Sequence, residues 1–207
     1  MSRVVDRGAV FAGWVGMAMA AVIVVSFLLV IPIEPVIWFM SPFAGILIGY
    51  YANSRSERRD GPWSRILANA AYAGVVTALT LTLLLIGTKA IFFAFDSGYR
   101  DIGLGGTVDC TGGADCVYQR YLDEPDGRAQ LEARGVTDVG SFTRYYWEQQ
   151  LQTAATLFVV TFAGSLAGGV LYGVMRPRPR PKPAAAGEAG GPTTSTGATG
   201  TGEPPAA

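Results

Sequence analysis

GAVFAGWVGMAMAAVIVVSFLLVIPI, residues 8–33, runs between Arg7 and Glu34 without a single charged side chain. A helix needs about 20 apolar residues to cross a hydrocarbon core of roughly 30 Å. The stretch therefore reads as a membrane span, and it sets the class of the whole chain. A cleaved signal peptide is the competing reading, since Arg3 and Arg7 supply a basic leader. The run is far longer than an h-region of about 7 to 15 residues, and no small-residue cleavage site follows residues 30–33, so a retained anchor is expected.

Working outward, the first span is placed at 9–31 after a short N-terminal segment at 1–8. Pro32 and Pro35 around Glu34 force a tight turn at 32–35, because each proline fixes its own φ and moves its predecessor out of the helical region. The chain must return at once, which makes 36–53 the second span. It is short and contains Ser41 and Pro42, so a kinked span is expected, with a re-entrant segment as the alternative. A basic connection follows at 54–65, in which Asp60, Gly61 and Pro62 can cap and start a helix. The third span is 66–95, leaving through Lys89, Phe92, Phe93 and Phe95. Residues 96–147 are polar and read as a loop with short elements of its own. The fourth span, 148–175, is preceded by Tyr145, Tyr146 and Trp147, an aromatic cluster of the kind that settles at headgroup level. Beyond it RPRPRPKP opens a tail, 176–207, too poor in large apolar residues to offset the entropy of folding, and disorder is expected there.

Charge sets the orientation. The sixteen acids and sixteen bases cancel, but they are segregated along the chain. The N-terminus, the second connection and the tail hold ten bases against five acids, whereas the loop, the first turn and Lys89 together hold six bases against eleven acids. Cytoplasmic segments retain the excess of Arg and Lys, so both termini are expected in the cytoplasm and the 96–147 loop outside. Four spans keep this pattern, whereas three or five would mix the two kinds of segment. Arginine outnumbers lysine fourteen to two, which suits a GC-rich bacterial genome and an inner-membrane location. The fold class expected is an all-α four-transmembrane-helix bundle with a small disulfide-clipped extracytoplasmic loop subdomain and a disordered C-terminal tail.

Cys110 and Cys116 enclose a glycine-rich pentapeptide on the outward loop, where disulfides persist. The chain has no histidine and no third cysteine to complete a metal site, and the spacing fits neither a redox nor a haem motif, so a structural disulfide is expected. Small residues recur at four-residue spacing: Gly45 and Gly49, Ala70 and Gly74, Gly164 and Gly168, Gly169 and Gly173. In lipid, helices associate by close packing rather than by hydrophobic burial, so these are assigned to helix contacts within the bundle ahead of dimerisation. Lys89 and Glu148 fall at similar depth on antiparallel neighbours and are expected to pair. The loop acids are scattered, and Asp123, Glu124 and Asp126 form no EF-hand, which leaves calcium as a minor reading.

No catalytic, cofactor or metal site is assigned, and no ionisable residue lies at mid-span, where transporters and pumps place theirs. The expected partners are the lipid bilayer, anionic lipid headgroups near Arg176 to Lys182, and a protein partner or second copy of the chain; nucleic acid is not among them. The layout of cytoplasmic termini, a minimal first outer loop and a larger outer loop bearing Cys110 and Cys116 is similar to that of tetraspanins. Their Cys-Cys-Gly motif is absent here, so the likeness is one of topology and carries over no residues. The function expected is that of a non-enzymatic accessory or scaffold component that presents its outer loop to a partner. The alternatives are a subunit of a transporter or channel, and a membrane enzyme using loop carboxylates.

Overall fold

A computed structural model describes residues 5–26, 34–57, 61–95, 110 and 112–176. The described residues are helical, with no strand. Helix α1 spans Arg7–Val24, α2 Glu34–Ser54, α3 Trp63–Phe95, α4 Ala114–Asp123, α5 Gly127–Ala133 and α6 Val139–Met175. Four of them, α1, α2, α3 and α6, are long and apolar enough to cross a membrane. Residues 32–33 of the turn expected at 32–35, the bases Arg58 and Arg59, the loop stretch 96–109 and the tail from 177 lie outside the described residues, and α2 begins at Glu34 within that turn.

The long helices pack side by side. Helix α6 lies against α2 and α3, α1 lies against α3 and α2, and α2 also touches α3. What they bury and what they show reverse the habit of a soluble protein. Thr161 and Ser165 are fully buried and Asn69 is 1% exposed, whereas Trp14 and Leu83 are each 66% exposed and Val174 71%. Soluble monomers rarely show apolar patches beyond a few hundred Å². This distribution suits a solvent as apolar as leucine.

The buried polar groups are made harmless locally. Thr77 donates to Ala73 O at 2.8 Å, Thr82 to Ala78 O at 2.9 Å and Thr161 to Leu157 O at 2.8 Å, each one turn back on its own helix. Ser165 instead crosses from α6 to α3, donating to Ala70 O at 2.8 Å. Helix α2 runs through Pro42 without interruption. That proline cannot donate to Trp38 O, and Ser41 Oγ makes a long 3.5 Å bond to the freed carbonyl. Among the described residues no buried side-chain nitrogen or oxygen lacks a partner.

Helix α6 starts at Val139, well ahead of the span expected at 148–175. Asp138 caps it, accepting from Gly140 N at 2.8 Å and Ser141 N at 3.0 Å, and Ser141 Oγ accepts in return from Asp138 N at 3.2 Å. With 37 residues the helix is about 55 Å long at 1.5 Å per residue, more than a hydrocarbon core requires. Its surplus first turns carry a cap. Helices α4 and α5 fold against them around Phe142, Leu131 and Val136, with Tyr118, Tyr121, Tyr145, Tyr146 and Phe93 packed outside. Helix α5 is closed off by Gly135, φ +70°, just past its C-cap Arg134, where Gly135 N donates to Glu132 O and Val136 N to Leu131 O, both at 2.9 Å. This is a Schellman motif, and Val136 and Leu131 supply its apolar contact.

Candidate functional site

A concavity lies where the cap meets the four-helix core. It is a cavity of about 550 Å³ lined by Ile37 and Trp38 of α2, Leu85 and Lys89 of α3, Tyr121 of α4, and Tyr146, Gln149, Gln150, Gln152, Thr153 and Leu157 of α6. Residues 149, 153 and 157 fall on one face because they are one turn apart. Ile37, Leu85 and Leu157 belong to a buried cluster with Ala20, Val24 and Leu81, so they form the apolar floor. The rim is amide, hydroxyl and aromatic. Lys89 carries the one formal charge among the described lining residues, and it is positive.

Aromatic contacts hold the wall. Phe93, near the end of α3, lies 4.8 Å from the Tyr146 ring and 5.5 Å from Trp147, and Tyr118 and Tyr121 of α4 meet Phe142 at 5.2 and 5.3 Å. Such ring pairs add about 0.5 to 1.5 kcal/mol each beyond area burial. Gln149 Nε2 donates to the Tyr145 hydroxyl at 2.6 Å, and the Arg134 guanidinium sits 5.8 Å from the Tyr145 ring centroid.

Cys110 and Cys116 lie at disulfide distance, with Cα atoms 5.5 Å apart, at the first turn of α4. Gly112 and Gly113 between them take φ +88° and +89°, and a Cβ on Gly112 would stand 3.1 Å from Ala94 O. The ring therefore rests on the end of α3, where only glycine fits without strain.

Lys89 and Glu148 do not form a pair. Glu148 Oε1 accepts from Arg144 Nε at 2.8 Å, one turn away on α6, while Lys89 lines the cavity. An i,i+4 partner on the same exposed face needs no reach between helices. The acids Asp115, Asp123, Glu124, Asp126, Glu132 and Asp138 are exposed. No group of three His, Cys, Asp or Glu able to hold a metal forms among the described residues, so Asp123, Glu124 and Asp126 do not gather into a calcium site.

The small-residue positions all fall at contacts between helices. A Cβ on Gly45 would meet Thr161 O, on Gly49 Ser165 O, on Gly168 Ile46 O, and on Gly164 Pro42 O at 2.6 Å. These four seat α2 on α6. On the α3 side, Gly74 faces Ser165 and Phe162, Gly169 meets the Ala70 Cβ at 2.7 Å, and Gly173 meets the Trp63 ring. The first span has a stripe of the same kind that the sequence reading passed over. Gly8, Ala12, Gly16 and Ala20 are all buried, with Gly8 against Arg55 O and Gly16 against Thr77 Oγ1.

At the opposite end of the core a polar knot joins three helices. Asn53 Nδ2 donates to Gly49 O at 3.0 Å and Ile66 O at 3.1 Å. The Asp6 carboxylate accepts from Ser56 Oγ and from Asn69 Nδ2, and Asp6 N donates to Asn69 Oδ1 at 3.2 Å. Nearby, Arg176 Nη1 donates to Gly61 O at 2.7 Å, tying the end of α6 to the start of α3.

Searches among protein-family models, curated proteins and solved structures found no match to this chain. The geometry of the cap, the cavity and the core has to carry the functional reading by itself.

Proposed function

We propose that the chain is a multi-pass protein of a bacterial inner membrane, with both termini cytoplasmic and the cap outside, acting without catalysis as an accessory or scaffold component that presents the cap to a protein partner. The observation that carries this reading is the cap itself: a small aromatic-cored unit on a rigid continuation of α6, fastened again to the end of α3 through Phe93. A rigid platform suits display more than turnover. Its described surface is acidic, with Asp115, Asp123, Glu124, Asp126, Glu132 and Asp138 exposed against Arg128 and Arg134, so a basic face is the complementary partner surface. The orientation rests on the charge asymmetry of the connecting segments.

A channel or transporter subunit is the second reading. It is less favoured because the hydroxyls of Thr77, Thr82 and Thr161 are spent on their own helices and Thr77 packs on Gly16, leaving closely packed side chains where a water path would run. Two measurements test the proposal. A Ser141→Cys protein should react with an impermeant maleimide on intact cells, and reaction only after lysis removes the orientation. Photocrosslinkers placed at Glu124 and Glu132 should give a discrete protein adduct in native membranes while one at Leu83 gives none. Equal adducts at all three positions, or none in the cap, remove the scaffold reading.

A further inference from the structure

We propose that the cavity beneath the cap is a binding site for the uncharged sugar head of a glycolipid, held by the side chains of Gln150, Gln152 and Thr153 of α6 with Trp38 of α2 beside them. The proposal rests on the membrane-spanning reading above, which sets this end of the core at headgroup level.

Hydrogen-bonding capacity comes first. Helix α6 carries four threonines, and Thr143, Thr156 and Thr161 donate to the carbonyl one turn back at 2.8, 2.9 and 2.8 Å. Thr153, the one on the cavity lining, makes no such bond. The side-chain amides of Gln150 and Gln152 on the same lining also have no partner among the described residues, whereas Gln149 is engaged with the Tyr145 hydroxyl. Two amides and a hydroxyl, each able to accept as well as donate, are thus left for a ligand. Lys89, Tyr121 and Tyr146 have interactions of their own, and no part of the hold is assigned to them.

The form of the ligand follows from the grading of the lining. Ligand sites occupy about 300 to 1,000 Å³ and combine apolar walls with a few convergent polar groups, and the 550 Å³ here falls within that range. Ile37, Leu85 and Leu157 close the cavity toward the middle of the core, and Thr153, Gln152 and Gln150 stand above Leu157 on α6. Water would satisfy the amides and leave the apolar floor wet. An amphiphile covers both levels. Its head has to donate as well as accept, because each glutamine offers two donors and a carbonyl. Sugar hydroxyls do both, whereas the oxygens of a quinone or an ionised phosphate only accept. A sugar ring also has a C–H face to lay on the negative face of an aromatic ring, and Trp38 on the wall is 38% exposed. The depth agrees. Trp147, close above Gln150 and in contact with Phe93, is the residue type that marks the interface.

The test uses the full-length protein in a polyoxyethylene detergent, which carries no sugar, titrated with glucosyldiacylglycerol, diacylglycerol, phosphatidylglycerol or glucose and read by native mass spectrometry and by Tm. Glucosyldiacylglycerol should bind and raise Tm. Diacylglycerol, which differs only in lacking the sugar, should bind about tenfold more weakly or less. Gln150→Leu and Thr153→Val together should weaken the glucosyl lipid about tenfold, the loss expected for one to two neutral hydrogen bonds. Thr153→Ser, which keeps the hydroxyl, should bind as the parent does, and Thr156→Val, whose hydroxyl is already given to Gln152 O, should be neutral. The lipid-free Tm of each variant separates lost binding from misfolding. Equal affinity for glucosyldiacylglycerol and diacylglycerol, or a double variant that binds the glucosyl lipid as the parent does, overturns the proposal. Tighter binding of phosphatidylglycerol than of the glucosyl lipid overturns the sugar as the head. Saturation by glucose with no preference for the lipid overturns the lipid as the source. The Ser141 labelling fails separately: an inverted orientation with the sugar-dependent lipid effect intact would end the topology and leave this site standing.

Discussion

The four-helix core and the cap are held together by opposite means. In the core the closest contacts belong to the smallest residues, with Gly45, Gly49, Gly164 and Gly168 bringing the backbones of α2 and α6 into contact, while large side chains such as Trp14, Leu83 and Val174 point away. In the cap the centre is Phe142, fully buried beneath tyrosines, with Leu131 and Val136 beside it. Each choice follows from the surrounding solvent. Where the surroundings are as apolar as the interior, burying a leucine gains nothing and closeness is the remaining source of attraction. Where they are water, apolar area is the main driving force, at about 25 cal/mol per Å². A unit as small as the cap is also helped by anchorage to α6, with Cys110 and Cys116 at disulfide distance beside it.

Removing the ring at the centre of the cap should break this comparison most sharply. Phe142→Ala deletes a fully buried aromatic side chain, and such truncations cost about 3 to 5 kcal/mol. The loss should stay in the cap, seen as faster tryptic cleavage at Arg128 and Arg134 and faster amide exchange in α4 and α5, with amides of the lower half of α6 unchanged. If the whole of α6 loses protection together, the cap and the core are one cooperative unit and the contrast fails.

The reciprocal change is smaller in mass and aimed at the core. Gly49→Ala adds one methyl where Ser165 O already stands, with Ser165 Oγ 2.8 Å from the new carbon. Helix α2 must back away from α6, and overpacking of this kind costs about 1 to 3 kcal/mol. The expected outcome is a lower Tm in detergent with unchanged cap proteolysis. Leu83→Ala, on a face 66% exposed, removes more atoms and should shift Tm far less. A larger effect at Leu83 would mean that this face is covered.

The sequence made the two regions unequally legible. Four uncharged runs announced the long helices, because the bilayer imposes a length on any sequence that crosses it. The small residues could be read for the same reason, although the stripe Gly8, Ala12, Gly16 and Ala20 was passed over within a run already explained by hydrophobicity. The start of α6 was hidden because its first turns mix polar and aromatic residues and carry no long apolar stretch. Two local signals were available there: Asp138 three residues before Ser141, a capping pair, and Phe142 with Tyr145 and Tyr146 at helical spacing. The cavity could not be read at all. It depends on how α2, α3 and α6 are rotated about their axes, and single-sequence periodicity does not fix that between helices apolar on every side. Lys89 was expected beside Glu148, and its place in the cavity lining became legible only with the packing.

The smallest effect expected concerns the join between the two regions, at the cap of α6. Hydrogen bonds from the Ser141 backbone and then its hydroxyl hold the Asp138 carboxyl below its ordinary value of 3.8, with Gly140 N contributing, and the positive end of the helix acts in the same direction. With the folded value depressed, the unfolded chain binds more protons in the acid range, so stability rises with pH there. The contribution is complete above the ordinary carboxylate value and is lost as pH falls through the folded one. Amide exchange at Gly140 and Ser141 should therefore be steady from neutrality down to mildly acid conditions. After correction for intrinsic rates it should quicken below about pH 4, the reference range for an aspartate. Asp138→Asn separates charge from geometry, because asparagine caps a helix about as well as aspartate and does not titrate. In that variant the protection of Ser141 should persist with its acid dependence flattened. If the dependence survives unchanged, the titrating group is elsewhere in the cap, and the start of α6 is held by the packing of Phe142 rather than by its cap.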